Sequence, residues 1–220
     1  MLLTQDQQDI TRAKPVKKFF VRVRIKLQII LKEQGMGKIV LASSSPRRAE
    51  ILKDYKLEII PSPYIEKHTK TAFSYDYVEN LAYNKALAVL PLVQDDCVIV
   101  GADTVVVLEN EILEKPMDNS DAFNMLRKLS GKTHRVVTSI SMINTKTKKH
   151  LIESTTSYVT FENLTDEMIS DYIINYKPLD KAGSYGIQEL PNGYIKDVNG
   201  DFENIIGISS KVFAEMLKKL

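Results

Sequence analysis

The stretch KIVLASSSPRRAEILKDY, beginning at Lys38, allows few folds. Four apolar residues run into three serines, a proline and two arginines, and an amphipathic pattern follows at once, so a buried strand feeds straight into a helix. Ser45 suits an N-cap and Pro46 the first helical position, which places Arg47 and Arg48 in the first turn. Cations are unfavourable there by about a few tenths of a kcal/mol each, because the helix start is already partly positive. Helical side chains lean back toward the N-terminus, which aims both guanidinium groups at the space faced by the hydroxyls of Ser43 and Ser45 and by backbone N–H groups. That is a site for phosphate. The other reading is a solvated basic turn beside a well-capped helix, and this stretch alone does not choose between them.

Composition narrows the class. A chain of 220 residues, 44% hydrophobic and 26% charged, can bury a substantial core. No apolar run reaches the roughly 18 residues of a membrane span, and a net charge of +2 gives no general reason to expect nucleic acid. The single Cys97, in the apolar DDCVIV, reads as a reduced core residue, pointing to a reducing, cytoplasmic location. Charge is uneven: residues 1–35 hold eight basic and three acidic residues, so residues 36–220 carry a net charge of −3. The expected organisation is an extension over 1–35, either disordered or upstream of a true start at Met36, and one folded domain over 36–220. FFVRVRIKLQIIL within the extension is expected to add a strand or a basic arm.

Further along, SYDYVENLAYNKALAVL reads as a helix capped by Ser74, with Val78, Leu81, Ala82, Ala86 and Val89 on one side. Lys85 falls on that same side, so it either snorkels out or meets an anion. DDCVIVGADTVVVLENEILEKPMD predicts an apolar strand, a break at Gly101, a second strand from Thr104 to Leu108 and a reversal at Glu109 and Asn110. Asp103 interrupts this apolar run and needs hydrogen bonds, a cation or a metal, unless it bonds its own backbone as a turn residue. A helix from about Ser120 to Leu129 follows, burying Ala122, Met125, Leu126 and Leu129 and ending at Gly131. The tripeptide GKT at Gly131 ends a helix and has Leu126 where a P-loop needs glycine, and no GxGxxG occurs, so standard nucleotide loops are excluded.

HRVVTSISMI and HLIESTTSYVTF predict paired strands around the turn NTKTKK. LTDEMISDYIINY predicts a helix capped by Thr165 with Ile169, Tyr172, Ile173 and Tyr176 on one stripe. GYIKDVNGDFENIIG reads as a hairpin turning at Asn199 and Gly200, and SSKVFAEMLKKL as a capped terminal helix. Parallel and hairpin connections together predict an α/β fold around a mixed, twisted sheet with flanking helices.

Four blocks, LASSSPRRAEIL, GADTVVVLENEILEKPMD, LSGKTHRVVTSI and DKAGSYGIQ, stand in the order and spacing of the Maf family of nucleoside triphosphate pyrophosphatases, which residues 38–220 resemble. The resemblance implies an elongated, two-lobed structure related to the inosine triphosphatase fold, with a central cleft and a homodimeric assembly. It implies hydrolysis of a nucleoside triphosphate substrate to the monophosphate and pyrophosphate with a divalent cation, Mg²⁺ or Mn²⁺. Arg47, Arg48, Lys85 and Lys115 would then hold the phosphates. Lys115 by itself reads as a surface lysine before a proline. Asp103 would be the general base or a metal ligand, and Glu66 in PSPYIEKHT the acidic residue of the metal site.

Within the family, EKPMD and KAGSYGIQ are similar to the branch that acts on dTTP and UTP. Arg47, Thr104 and Gln188 align with its positions for substrate choice, and a glutamine amide can both donate to and accept from a pyrimidine edge. Glu189 stands where that branch usually has glycine, and GISS at Gly207 replaces glycine, leucine, proline. A charge beside Gln188 is expected to weaken triphosphate binding or alter base choice. Other readings are hydrolysis of 7-methyl-GTP or another noncanonical nucleotide, a non-catalytic nucleotide-binding regulator of division, and a nucleic-acid module using the basic extension.

Overall fold

The structure, a computed structural model, describes residues 38–66 and 72–220. The extension and the strand or arm expected in it lie outside these residues. The opening stretch folds as its sequence dictates: β1 (Ile39–Leu41) is fully buried and α1 (Pro46–Ile51) starts with proline at its first position. Ser45 caps it, its Oγ accepting from the Arg48 N–H at 3.4 Å.

A mixed seven-stranded sheet carries the fold, as expected. The other strands are β2 (Leu57–Ile59), β3 (Val98–Leu108), β4 (Glu111–Leu113), β5 (Thr133–Asn144), β6 (His150–Phe161) and β7 (Ile195–Asn199). They run in the order β2-β1-β3-β5-β6-β7, with β4 also on β3. β1 lies parallel to both β2 and β3, and every other pairing is antiparallel.

The expected break at Gly101 does not occur: β3 is a single strand of 11 residues. Its glycine serves close approach instead. A Cβ on Gly101 would lie 2.1 Å from the Ala82 carbonyl oxygen and 2.7 Å from the Ala86 nitrogen, so the backbone of α2 (Tyr75–Val89) rests directly on the strand.

The edges of β3 explain where the fold opens. β5 covers one edge from Val98 to Val107. The other edge is shared, with β1 against Val98 to Val100 and β4 against Val106 to Leu108. Residues 101–105 lie in the gap between them. Successive strand residues face opposite sides, so Asp103 and Thr104 present different faces of the sheet at this gap.

Hydrophobic cores sit toward both ends of β3. Near its start, Val98 and Val100 join β1, Leu52, Ile140 and Met142 under Phe213, Met216 and Leu217 of α6 (Ser210–Lys219). Near its end, Val106 and Leu108 join Val136, Val159 and Phe161 under α3 (Asn119–Leu129) and α4 (Asp166–Tyr176). α2 covers the opposite face along the strand, burying Val78, Leu81, Ala82, Ala86 and Val89 as its periodicity predicts.

Three local expectations need correction. In α3, which Asp118 caps by accepting from the Asp121 N–H at 2.8 Å, Met125 is only half-buried. Tyr176, at the last turn of α4, is 41% exposed. The hairpin expected at Asn199 and Gly200 is instead a strand-to-helix turn, in which Gly200 takes φ +116° and Asp201 caps α5 (Phe202–Ile206) by accepting from Glu203 and Asn204 N–H groups. An aspartate followed by helix formers outweighed the Asn-Gly turn signal.

Candidate active site

A cavity of about 340 Å³ opens at the gap in the β3 edge. Each of Ser43, Ser45, Arg47, Arg48, Glu66, Lys85, Asp103, Thr104, Lys115 and Gln188 lines it. These residues come from the β1–α1 turn, the start of α1, the segment after β2, α2, β3, the segment after β4 and the loop before β7, so distant parts of the chain meet in one space. Asp103 lies deepest among them at 6% exposed, while Lys115 and Gln188 are exposed.

On the α2 side, Lys85 pairs with two carboxylates. Its ammonium contacts Asp103 Oδ1 in a short charged hydrogen bond and lies 2.7 Å from Glu66 Oε1. The periodicity that turned Lys85 inward therefore brings it to an anionic partner, as one of its two readings required. Burial pushes the Asp103 carboxyl above its ordinary range, and the charges of Lys85 and Arg48 offset that rise only in part.

Arg48 is fixed on the other face. Its Nε donates to the Gly207 carbonyl at 2.9 Å, Nη1 to Ser43 Oγ at 3.3 Å and Nη2 to Thr104 Oγ1 at 3.0 Å. Thr104 Oγ1 is 2.8 Å from Thr138 Oγ1, whose hydroxyl donates to the Asn204 carbonyl at 2.9 Å. Three neutral acceptors thus orient a cation without cancelling its charge. With only six residues in α1, the positive field comes chiefly from its arginines.

Sequence reasoning marked Glu189 and the block KAGSYGIQ but not the charged row that they form with Arg47 and Asp180. Arg47 Nη1 lies 3.1 Å from Asp180 Oδ2, Asp180 Oδ1 accepts from Lys181 at 2.7 Å, and Lys181 Nζ lies 3.2 Å from Glu189 Oε2. Burial raises the Asp180 carboxyl, but hydrogen bonds from Lys181 and Arg47 outweigh this and hold it below its ordinary value. Asp180 and Lys181 line the cavity, and their adjacency in DKAGSYGIQ was the only signal available. The Glu189 carboxylate turns to Lys181, so its charge is paired rather than presented beside Gln188. Beneath them, His134 Nε2 lies 2.7 Å from the Tyr185 hydroxyl, and Tyr185 forms part of the cavity wall.

A divalent cation would find a partial site. Mg²⁺ is commonly held by one or two carboxylates together with substrate phosphates, keeping the remaining positions for water. Glu66 and Asp103 converge on the single point that the Lys85 ammonium now occupies, which makes that ammonium a stand-in for a cation. Among the described residues no group of three or more His, Cys, Asp or Glu side chains could hold a metal. The donor set therefore fits a cation completed by a phosphate ligand.

The profile of the Maf-like protein family matches residues 38–220. A dTTP/UTP pyrophosphatase of Ruminiclostridium cellulolyticum is 44% identical over 188 residues, covering 84% of this chain and 97% of that one. Another from Clostridium novyi is 39% identical over 186 residues, covering 81% and 97%. A human protein described as a probable bifunctional dTTP/UTP pyrophosphatase/methyltransferase is 39% identical over 198 residues, which span 83% of this chain and 32% of that longer one. Likeness of this degree, across the domain that builds the cavity and nearly all of the two bacterial relatives, places the chain in the Maf-like protein family.

Proposed function

We propose that this protein hydrolyses nucleoside triphosphates, dTTP and UTP foremost, to the nucleoside monophosphate and pyrophosphate, as a housecleaning activity on the nucleotide pool. The observation that carries the reading is the meeting of Arg47, Arg48, Lys85 and Lys115 with the buried Asp103 in one cavity. Bacterial relatives with the corresponding activity in their names support the choice of substrate.

A triphosphate brings roughly four negative charges, and its cleavage depends mainly on positioning and on fixed positive charge. Arg48, already oriented by Ser43, Thr104 and Gly207, would meet phosphate oxygens with its remaining N–H donors. Ser43 and Ser45 border the same space, and Lys115 at the rim would draw the anion in. Gln188, exposed and lining the same cavity, would read the base.

Glu66 and Asp103 would hold a divalent cation, Mg²⁺ or Mn²⁺, which when bound neutralises phosphate charge and acidifies water. Asp103 acts as the proton acceptor. A water oxygen bonds to one phosphorus of the α–β anhydride, the bridging oxygen departs with the bonding electron pair, and the water proton passes to Asp103. Burial favours this role, because a raised carboxyl holds a proton better than an ordinary aspartate. The Lys85 ammonium favours the ionised form of Asp103, against the effect of burial.

The test is pyrophosphate release from a panel of triphosphates, modified bases included, by the wild type and Asp103→Asn. Loss of a general base predicts a fall in kcat of roughly a hundredfold to ten-thousandfold. A variant within tenfold of wild type would remove Asp103 from the reaction, and no release from any triphosphate would remove the reaction itself.

A further inference from the structure

Lys181 is left without a role in this mechanism, although it lines the cavity and is only 8% exposed. Burying an ammonium is costly unless it is well paired, and here two carboxylates hold it, Asp180 at 2.7 Å and Glu189 at 3.2 Å. Its stem is held as well. A Cβ on Gly186 would lie 3.0 Å from Lys181 Cε and 3.2 Å from Cδ, so the lysine stem packs closely across Gly186 and a larger residue there would press on it. Gly186 begins the turn that carries Gln188, closed by the Glu189 N–H donating to the Gly186 carbonyl at 2.9 Å. The ammonium is thereby fixed beside the residue that would read the base.

Position separates this lysine from the phosphate-binding set: its ammonium pairs with Glu189, the residue that follows Gln188 in the chain. An ammonium has three N–H donors; one goes to Asp180 Oδ1, and Glu189 Oε2 stands as an ion-pair partner at 3.2 Å. Lys181 lines the cavity, so a donor beyond the one given to Asp180 can serve a ligand there. A ring carbonyl oxygen can accept from it, whereas an exocyclic amino group would set N–H against N–H.

We propose that Lys181 is a specificity-determining residue whose ammonium donates to the O4 carbonyl of a pyrimidine base beside Gln188, where cytosine carries an amino group, selecting uracil and thymine over cytosine. Glu189 and Asp180 act as positioning residues that hold the donor in place. This inference rests on the pyrimidine-triphosphate reading above.

The experiment compares kcat/KM for UTP and CTP in the wild type, in Lys181→Met, and in a double variant that adds Glu189→Gln to limit the unpaired negative charge. Melting temperatures accompany each. Loss of a charged donor predicts that the UTP to CTP ratio falls roughly tenfold to a hundredfold in the double variant. A wild type without preference for UTP, or a ratio that stays within threefold, overturns the proposal. If neither methionine variant is folded, Lys181→Arg, which keeps the ion pairs but moves the donor, is judged by the same ratio. Calorimetric binding of UMP and CMP separates the two readings. If the wild type releases no pyrophosphate from any triphosphate, the reaction reading fails alone, and the UMP to CMP affinity ratio, with and without Lys181, decides the role of the lysine.

Discussion

Gly101→Ala is a change of one methyl group with a large expected effect. The new Cβ would stand 2.1 Å from the Ala82 carbonyl oxygen, where real contacts essentially never fall under 3.0 Å, so α2 would have to retreat by on the order of 1 Å. Both obstacles are helix backbone, which no rotamer change relieves. Overpacking of this kind costs about 1 to 3 kcal/mol, and a rigid helix places it near 3. Restricting the unfolded chain returns roughly 0.4 to 1 kcal/mol, which is too little to reverse the sign. For a domain of this size each kcal/mol moves Tm by about 2 to 4 °C, so the fall should be roughly 5 to 10 °C.

The second consequence is chemical. α2 carries Lys85 one residue before Ala86, so the same retreat draws its ammonium from Asp103 and Glu66. Displacement of about 1 Å at a reacting centre can cost up to a hundredfold in rate. Thermal melting followed by circular dichroism, and pyrophosphate release measured well below Tm, read the two effects separately. A Tm within 2 °C of wild type together with activity within twofold would refute the claim that Gly101 seats the helix.

Two pH effects follow from burial. Burial raises the folded pKa of Asp103, so without divalent cation its carboxyl should titrate above the roughly 4 of an ordinary aspartate. A midpoint at or below 4 in an NMR titration of the cation-free protein contradicts the burial account. His134, 2% exposed, is lowered by burial from its ordinary 6.5 to about 4. Between these values the unfolded chain takes up a proton that the folded one refuses, so stability is full above 6.5 and falls as pH drops toward 4, by roughly 3 kcal/mol in all. His134→Gln should flatten the dependence of Tm on pH across this window, and parallel curves for variant and wild type would exclude the effect.

Much of the site was legible because its residues break local patterns. Two arginines at a helix start, a lysine on an apolar helix face and an aspartate within an apolar strand are each costly alone, and all three line the cavity. Glu66, Lys115, Thr104 and Gln188 break no pattern, so only family resemblance singled them out. Glu189 was marked as a departure, but its pairing with Lys181, and that of Lys181 with Asp180, could not be read, because surface-type residues in a polar loop look ordinary until burial is known. Gly101 was misread for a related reason: glycine marks a chain break and a close approach alike, and the helix that approaches is remote in sequence.

Local physics, written in the order of residues, determined the capped helix starts at Ser45, Ser74, Thr165 and Ser209, the buried face of α2 and the pairing of β5 with β6. Those features depend on neighbours within a turn or across a short connection. Tertiary structure alone decided that β1 and β4 share one edge of β3 and leave residues 101–105 between them, and that this gap gathers Lys85, Arg48 and Lys181 around one cavity. Such a meeting depends on long-range sheet pairing, and the free energy of pairing one strand edge with another is set by the whole fold rather than by any stretch of sequence.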